Sequence, residues 1–245
     1  MNITILGSGD AFGSGGRFNS CLHVEAGGER MLLDCGASSL VALNKAGIER
    51  NGISTLLFTH FHGDHFGGLP AFLLDAQFVS RRKEPLVIAG PLGVEHRALH
   101  ALDADFPGAA TNAWRFPIRY VEITPESPAS LAGIDVTAYP MVHDERAGPC
   151  QGYRLDHGGK VFAFSGDTAW TEALVRLADG ADVLLVECYT WDTRLANHLD
   201  YQTLASHRAA LKTARIVLTH MGVSMLAHRE PLPEERAHDG MVIAL

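Results

Sequence analysis

Thr59-His60-Phe61-His62-Gly63-Asp64-His65 places three imidazoles and a carboxylate within six residues. Neutral imidazole and carboxylate are ligands that suit zinc, manganese and iron. Just before this stretch, Ile53-Ser54-Thr55-Leu56-Leu57-Phe58 reads as a short buried strand, and just after it Gly67 to Val79 reads as a helix. A strand-to-helix loop can hold ligands on a rigid scaffold and keep one face open. The stretch therefore demands an α/β architecture with a site at a strand end. The rival reading, a His-rich surface turn, does not explain such dense spacing directly after an apolar run.

A chain of 245 residues, 47% hydrophobic and 20% charged, can bury a large core in the manner of a globular protein. No apolar run reaches membrane-spanning length, and Met1 to Leu6 lacks the flanks of a signal peptide. A cytoplasmic location with no membrane partner is the expectation. The four cysteines form no CxxC pair, and Cys35 and Cys188 read as buried thiols. The formal net charge of −8 argues against a nucleic-acid stripe. Only Arg81-Arg82-Lys83 resembles one, and it reads as a solvated helix end.

Along the chain, hairpins precede strand–helix units, and then the same order repeats. Asn2 to Leu6 is a strand running into the tight loop Gly7-Ser8-Gly9-Asp10, and Phe12 to Asn19 reads as a mobile Gly-rich loop. Strands are expected at 21–25, 30–33, 86–89, 119–123, 134–139, 152–155, 160–164, 183–186, 216–218 and 241–243. Helices are expected at 38–46, from Pro91 to Leu102, and at 169–178 and 201–211. The order implies two packed β sheets with helices outside, a single α/β domain over 1–245, with each candidate ligand at the C-terminal end of a strand.

The polar residues at strand ends are His60, His62, Asp64, His65, His143, Asp167 and His220. Five imidazoles and two carboxylates exceed what one ion needs. The HxHxDH motif, a later lone His, an Asp in Ser165-Gly166-Asp167-Thr168 and a His in Thr219-His220-Met221 together resemble the metallo-β-lactamase-fold hydrolases along nearly the whole chain. The resemblance implies a four-layer αβ/βα sandwich and two divalent metal ions, zinc first, with manganese or iron as the other candidates. It implies that His60, His62 and His143 bind one ion, that Asp64, His65 and His220 bind the other, and that Asp167 bridges them. His62 departs from the Glu of redox di-iron members, which favours hydrolysis. Asp167 departs from the β-lactam-hydrolysing branch. The residues after His220 are too few for the helical domain of the glyoxalase branch.

Within the superfamily the chain is most similar to the ribonuclease Z branch and its phosphodiesterase relatives, including a phosphonate-pathway cyclic phosphodiesterase. Glu187 in Val186-Glu187-Cys188-Tyr189-Thr190 and His198 in Asn197-His198-Leu199-Asp200 match a pair that protonates the leaving oxygen. Leu199 and Asp200 stand where that branch has Ser and Thr. The resemblance thus gives Asp64, Glu187 and His198 as catalytic residues. Asp34, Thr59 and Thr168 are candidates to hold the outer N–H of a ligand imidazole, and Asp10 is a candidate to line the site. His23, His96, His100, His157, His207, His228 and His238 are expected at the surface or in loops. Only a short hairpin lies between His143 and Asp167, leaving no room for the arm with which tRNA-processing members grip tRNA.

The sequence therefore points to a binuclear phosphodiesterase acting on a small or nucleotide-like substrate through a metal-bridging hydroxide. The alternatives are a carboxylic ester or lactone hydrolase on the same site, a tRNA 3′-processing endoribonuclease, and a non-catalytic metal sensor. Many members of the fold the chain resembles form homodimers, and no dimer signal is legible in this sequence.

Overall fold

The structure, a computed structural model, describes all 245 residues. Six strands build most of the first sheet: β1 (Asn2–Gly7), β2 (Cys21–Ala26), β3 (Glu29–Leu33), β4 (Thr55–Leu57), β5 (Leu86–Gly90) and β6 (Ile118–Glu122). Seven build the second: β7 (Pro128–Leu131), β8 (Ile134–Pro140), β9 (Gln151–His157), β10 (Lys160–Phe164), β11 (Val183–Glu187), β12 (Ile216–Thr219) and β13 (Glu235–Arg236). The last strand, β14 (Met241–Ala244), returns to pair antiparallel with β1. The two sheets run β14-β1-β2-β3-β4-β5-β6 and β13-β12-β11-β10-β9-β8-β7. Each is antiparallel where the hairpins lie and parallel from β3 through β6 and from β10 through β13.

Alternation along the strands separates three cores. Ile3, Ile5, Leu22, Val24, Val136, Leu155, Phe162 and Leu185 meet between the sheets. On the outer side of the first sheet, α1 (Ser39–Ala46), α2 (Gly63–Phe66), α3 (Leu69–Leu74) and α4 (Val94–Asp105) cover Leu32, Leu56, Phe58 and Ile88. On the outer side of the second, α5 (Glu172–Ala178), α6 (Tyr201–His207) and α7 (Val223–Ala227) flank Ala163, Leu184, Val186 and Leu218. This is the four-layer αβ/βα sandwich expected from the sequence. No helix is long and apolar enough to cross a membrane.

Several expectations change. The helix expected over 67–79 begins at Leu69 as α3, with Pro70 in its first turn, and runs into a π-helical turn at Asp75–Val79, while α2 is a separate turn before it, inside the HxHxDH motif. The break falls at Gly67 and Gly68, because a Cβ on Gly68 would lie 2.3 Å from the Gly36 carbonyl oxygen. β7 and β13 went unseen, being short edge strands, one opened by Pro128 and the other made of two charged residues. Arg82 is not solvated: it is 2% exposed and donates to the carbonyls of Glu84, Pro85, Arg50 and Asn51. His23 is likewise buried, on the face of β2 opposite Leu22 and Val24, and burial lowers its pKa. The 12–19 loop is tied internally, since the buried Asp10 carboxylate accepts from Phe12 N, Ser14 N and Ser14 Oγ. Asp10 is therefore committed to its own loop, and Ala11 and Phe12 face the site cavity instead.

Candidate metal centre

The C-terminal ends of the parallel strands converge at one edge of the sandwich. The chain leaving β4 supplies His60 and His62, and the first turn of α2 supplies Asp64 and His65. The ends of β8, β10 and β12 lead directly to His143, Asp167 and His220. Ligand atoms of His60, His62 and His143 lie within 4.8 Å of one another, as do those of Asp64, His65, Asp167 and His220. All seven residues expected from the sequence are thus brought into one cluster.

Backbone conformations at this edge are demanding. Asp34, which follows β3, has φ 61°, and His220 has φ 54°, both in the left-handed region that non-glycine residues seldom occupy. Gly166 has φ 57°, and a Cβ there would lie 2.9 Å from Thr59 Cβ. A Cβ on Gly36 would lie 2.1 Å from the Asp64 carbonyl oxygen and 2.5 Å from Asn19 Cβ. We expect Gly36→Ala to displace the Asp64 turn at a cost of about 1–3 kcal/mol. A melting temperature lowered by several degrees together with reduced metal content would bear this out, whereas an unchanged melt would contradict it.

Hydrogen bonding fixes which nitrogens face inward. His65 Nδ1 donates to Asp34 Oδ2 at 2.7 Å, and His143 Nδ1 donates to the Asn197 carbonyl at 2.7 Å. Thr59 Oγ1 lies 3.0 Å from Asp34 Oδ2 and 3.1 Å from His60 Nδ1, so the hydroxyl donates to the carboxylate and accepts from the imidazole. Burial lowers the pKa of His60 and His143, which leaves their Nε2 atoms as bare lone pairs, and His65 turns its Nε2 inward as well. His62 Nδ1 lies 3.1 Å from His60 Nε2 and 3.0 Å from His143 Nε2. His65 Nε2 lies 3.1 Å from Asp167 Oδ1, a buried oxygen with no hydrogen-bond donor. Inward imidazole nitrogens and an orphaned carboxylate oxygen in a buried site fit a cation among them. The electrostatics agree: burial alone would lower the pKa of His220, but Asp167 and the hydrogen bond to Asp64 push it up to about 9. The site favours positive charge.

Asp34 and Thr59 each stand behind an imidazole of the cluster, that of His65 and that of His60. Thr168 does not. Its hydroxyl accepts from Val142 N and donates to the Ala169 carbonyl, and its backbone N–H donates to Glu187 Oε1. Glu187 is fully buried, and His198 Nδ1 lies 3.2 Å from both of its oxygens. Burial pulls the His198 pKa down, but the hydrogen bond and charge of Glu187 outweigh it and leave it raised. The His198 ring sits 4.8 Å from that of His143 and 4.7 Å from that of Tyr189. A cavity of about 530 Å³ opens beside the cluster, lined by Phe12, Ala37, Asp64, Asp167, Tyr189 and His198 among others. Sequence reasoning missed Tyr189, Asp144 and the Asn197 carbonyl. Asp144 directly follows His143, but its partner His62 is 82 positions upstream, so no local pattern could reveal the contact.

This fold and this cluster define a metallo-β-lactamase-fold, metal-dependent hydrolase of the ribonuclease Z-like kind. More narrowly, the chain belongs to the family described as Anti-Pycsar protein Apyc1, which matches residues 1–239. It is 27% identical to a ribonuclease Z of Mycobacterium sp. (strain KMS) over 95% of this chain and 85% of that one. The human tRNase Z short form superposes with a TM-score of 0.80 at 25% identity, covering 100% of this chain and 99% of that one. A diphosphatase from the PhnP family superposes with a TM-score of 0.77 at 17% identity, over 100% and 97% of the two chains. Zn(2+)-bound PqqB from Methylobacterium extorquens shares the fold with a TM-score of 0.76 at 18% identity, over the whole of both chains.

Proposed function

We propose that the chain is a two-metal phosphodiesterase acting on a small or nucleotide-like phosphodiester. His60, His62 and His143 would hold one divalent cation, Asp64, His65 and His220 a second, with Asp167 between them. Zinc is the metal that the donor set suits first. Bound there, the cations would polarise phosphoryl oxygens and acidify water to a pKa of about 7. The chain's own groups do the rest. Asp34 and Thr59 orient the imidazoles, and the cavity beside Asp64 and Asp167 is where a diester would meet the bound cations.

The observation that carries this reading is the pairing of His198 with buried Glu187 on the cavity wall. An alkoxide leaves poorly without a proton, and an imidazolium held by a carboxylate can supply one. The cavity volume suits a small ligand. Only one hairpin, β9–β10, separates His143 from Asp167, which also favours a small substrate over a folded tRNA. The end-to-end likeness to human tRNase Z supports tRNA 3′ processing as a second reading, and a precursor-tRNA cleavage assay tests it. For the main reading, bis(p-nitrophenyl) phosphate and a lactone are compared at matched concentration. Turnover of the diester alone is expected. Faster lactone opening would overturn the assignment.

A further inference from the structure

Each imidazole of the cluster turns one nitrogen inward, and what stands behind the outer nitrogen differs. His65 has the Asp34 carboxylate, His143 the Asn197 carbonyl and His60 the Thr59 hydroxyl. His62 faces inward through Nδ1, so its N–H is on Nε2, and Asp144 Oδ2 lies 3.6 Å from that atom. Asp144 is itself held in place. Arg146 Nε contacts both of its oxygens at 2.9 and 3.1 Å, Arg146 Nη2 donates to Oδ2 at 2.8 Å, and the Arg146 backbone N–H donates to Oδ1 at 3.0 Å. The Asp144 side chain is 16% exposed, whereas that of Arg146 is 88% exposed. The carboxylate is thus pinned against the cluster by a cation that stays in water.

The charge distribution gives this contact its weight. The group Asp64, His65, Asp167 and His220 contains two carboxylates and has a third, Asp34, behind His65. The trio His60, His62 and His143 contains no carboxylate and can share only Asp167. We propose that Asp144 is a positioning residue that fixes the orientation and tautomer of His62 and raises the affinity of this trio for its divalent cation. The proposal rests on the ligand set given above, but not on the identity of the substrate.

A group of this kind behind a metal-binding imidazole is worth about 10–100-fold in metal affinity. Asp144→Asn keeps the size and the turn-capping oxygen while removing the charge. Zinc-loaded parent and variant are titrated with a chelator, and release of the two zinc equivalents is followed separately. The expected result is that one equivalent leaves the variant at about 10–100-fold lower chelator activity while the other is unmoved. Asp144→Glu restores part of the loss, and the melting temperature of the metal-free protein stays the same in both variants. Equal release from parent and Asp144→Asn overturns the proposal, as does equal weakening of both equivalents, which marks a general structural role. A parent that binds fewer than two equivalents overturns the ligand set together with this proposal. A parent that binds both but cleaves no phosphodiester overturns only the functional reading.

Discussion

Replacing Asp167 with alanine is expected to lower kcat/KM for a phosphodiester by ~10³-fold or more, about 4 kcal/mol of transition-state stabilisation. It is also expected to strip bound metal. The reason is position. Oδ1 of Asp167 lies 3.1 Å from His65 Nε2, while Oδ2 lies 3.4 Å from His220 Nε2 and 3.8 Å from His143 Nε2. One carboxylate therefore reaches both ligand groups, and two neighbouring cations need an anion between them to offset their repulsion. Elemental analysis of the purified variant, alongside turnover of bis(p-nitrophenyl) phosphate, checks both parts. A variant that keeps two metal equivalents and full turnover would remove the basis for a two-metal site.

The second large effect concerns His198 and depends on the leaving group. His198→Ala should slow cleavage of a diester with an alkyl or ribosyl leaving oxygen by about 10²–10⁴-fold. A p-nitrophenolate departs without protonation, so bis(p-nitrophenyl) phosphate should lose far less. Metal content should be unchanged, because His198 is outside both proposed ligand sets. Glu187→Gln should reproduce the leaving-group pattern, since the buried carboxylate is what holds and charges the imidazole. Equal losses on both substrate types would assign His198 to binding or structure rather than to proton donation.

The parts of this site that were legible in the sequence are those in which chemistry repeats at short range. His60, His62, Asp64 and His65 lie close together because one loop and one helical turn carry them all. His143, Asp167 and His220 were found because each directly follows an apolar strand. What stayed hidden depends on contacts between distant segments. Asp144 meets His62 only after two sheets have packed, and Asn197 offers His143 a backbone oxygen, which no residue type announces. Arg82 looked like part of a surface basic run because sequence shows its charge but not the four carbonyls that surround it. The same limit applies to the fold. Long apolar strands were placed well, whereas β7 and β13 depend on pairing with β8 and β12 rather than on their own composition.

Each of the two donor groups draws on both sheets. His60 and His62 come from the first, and His143 from the second; Asp64 and His65 come from the first, and Asp167 and His220 from the second. Cations bound there would act as rivets between two halves of one sandwich, because the unfolded chain offers no such preassembled set of donors. Their occupancy then adds directly to the folding equilibrium, by about 4 kcal/mol for an ion present at a thousand times its dissociation constant. Loss of metal would therefore weaken the seam between the sheets, and a substitution deep in that seam would loosen the grip on metal without touching a ligand.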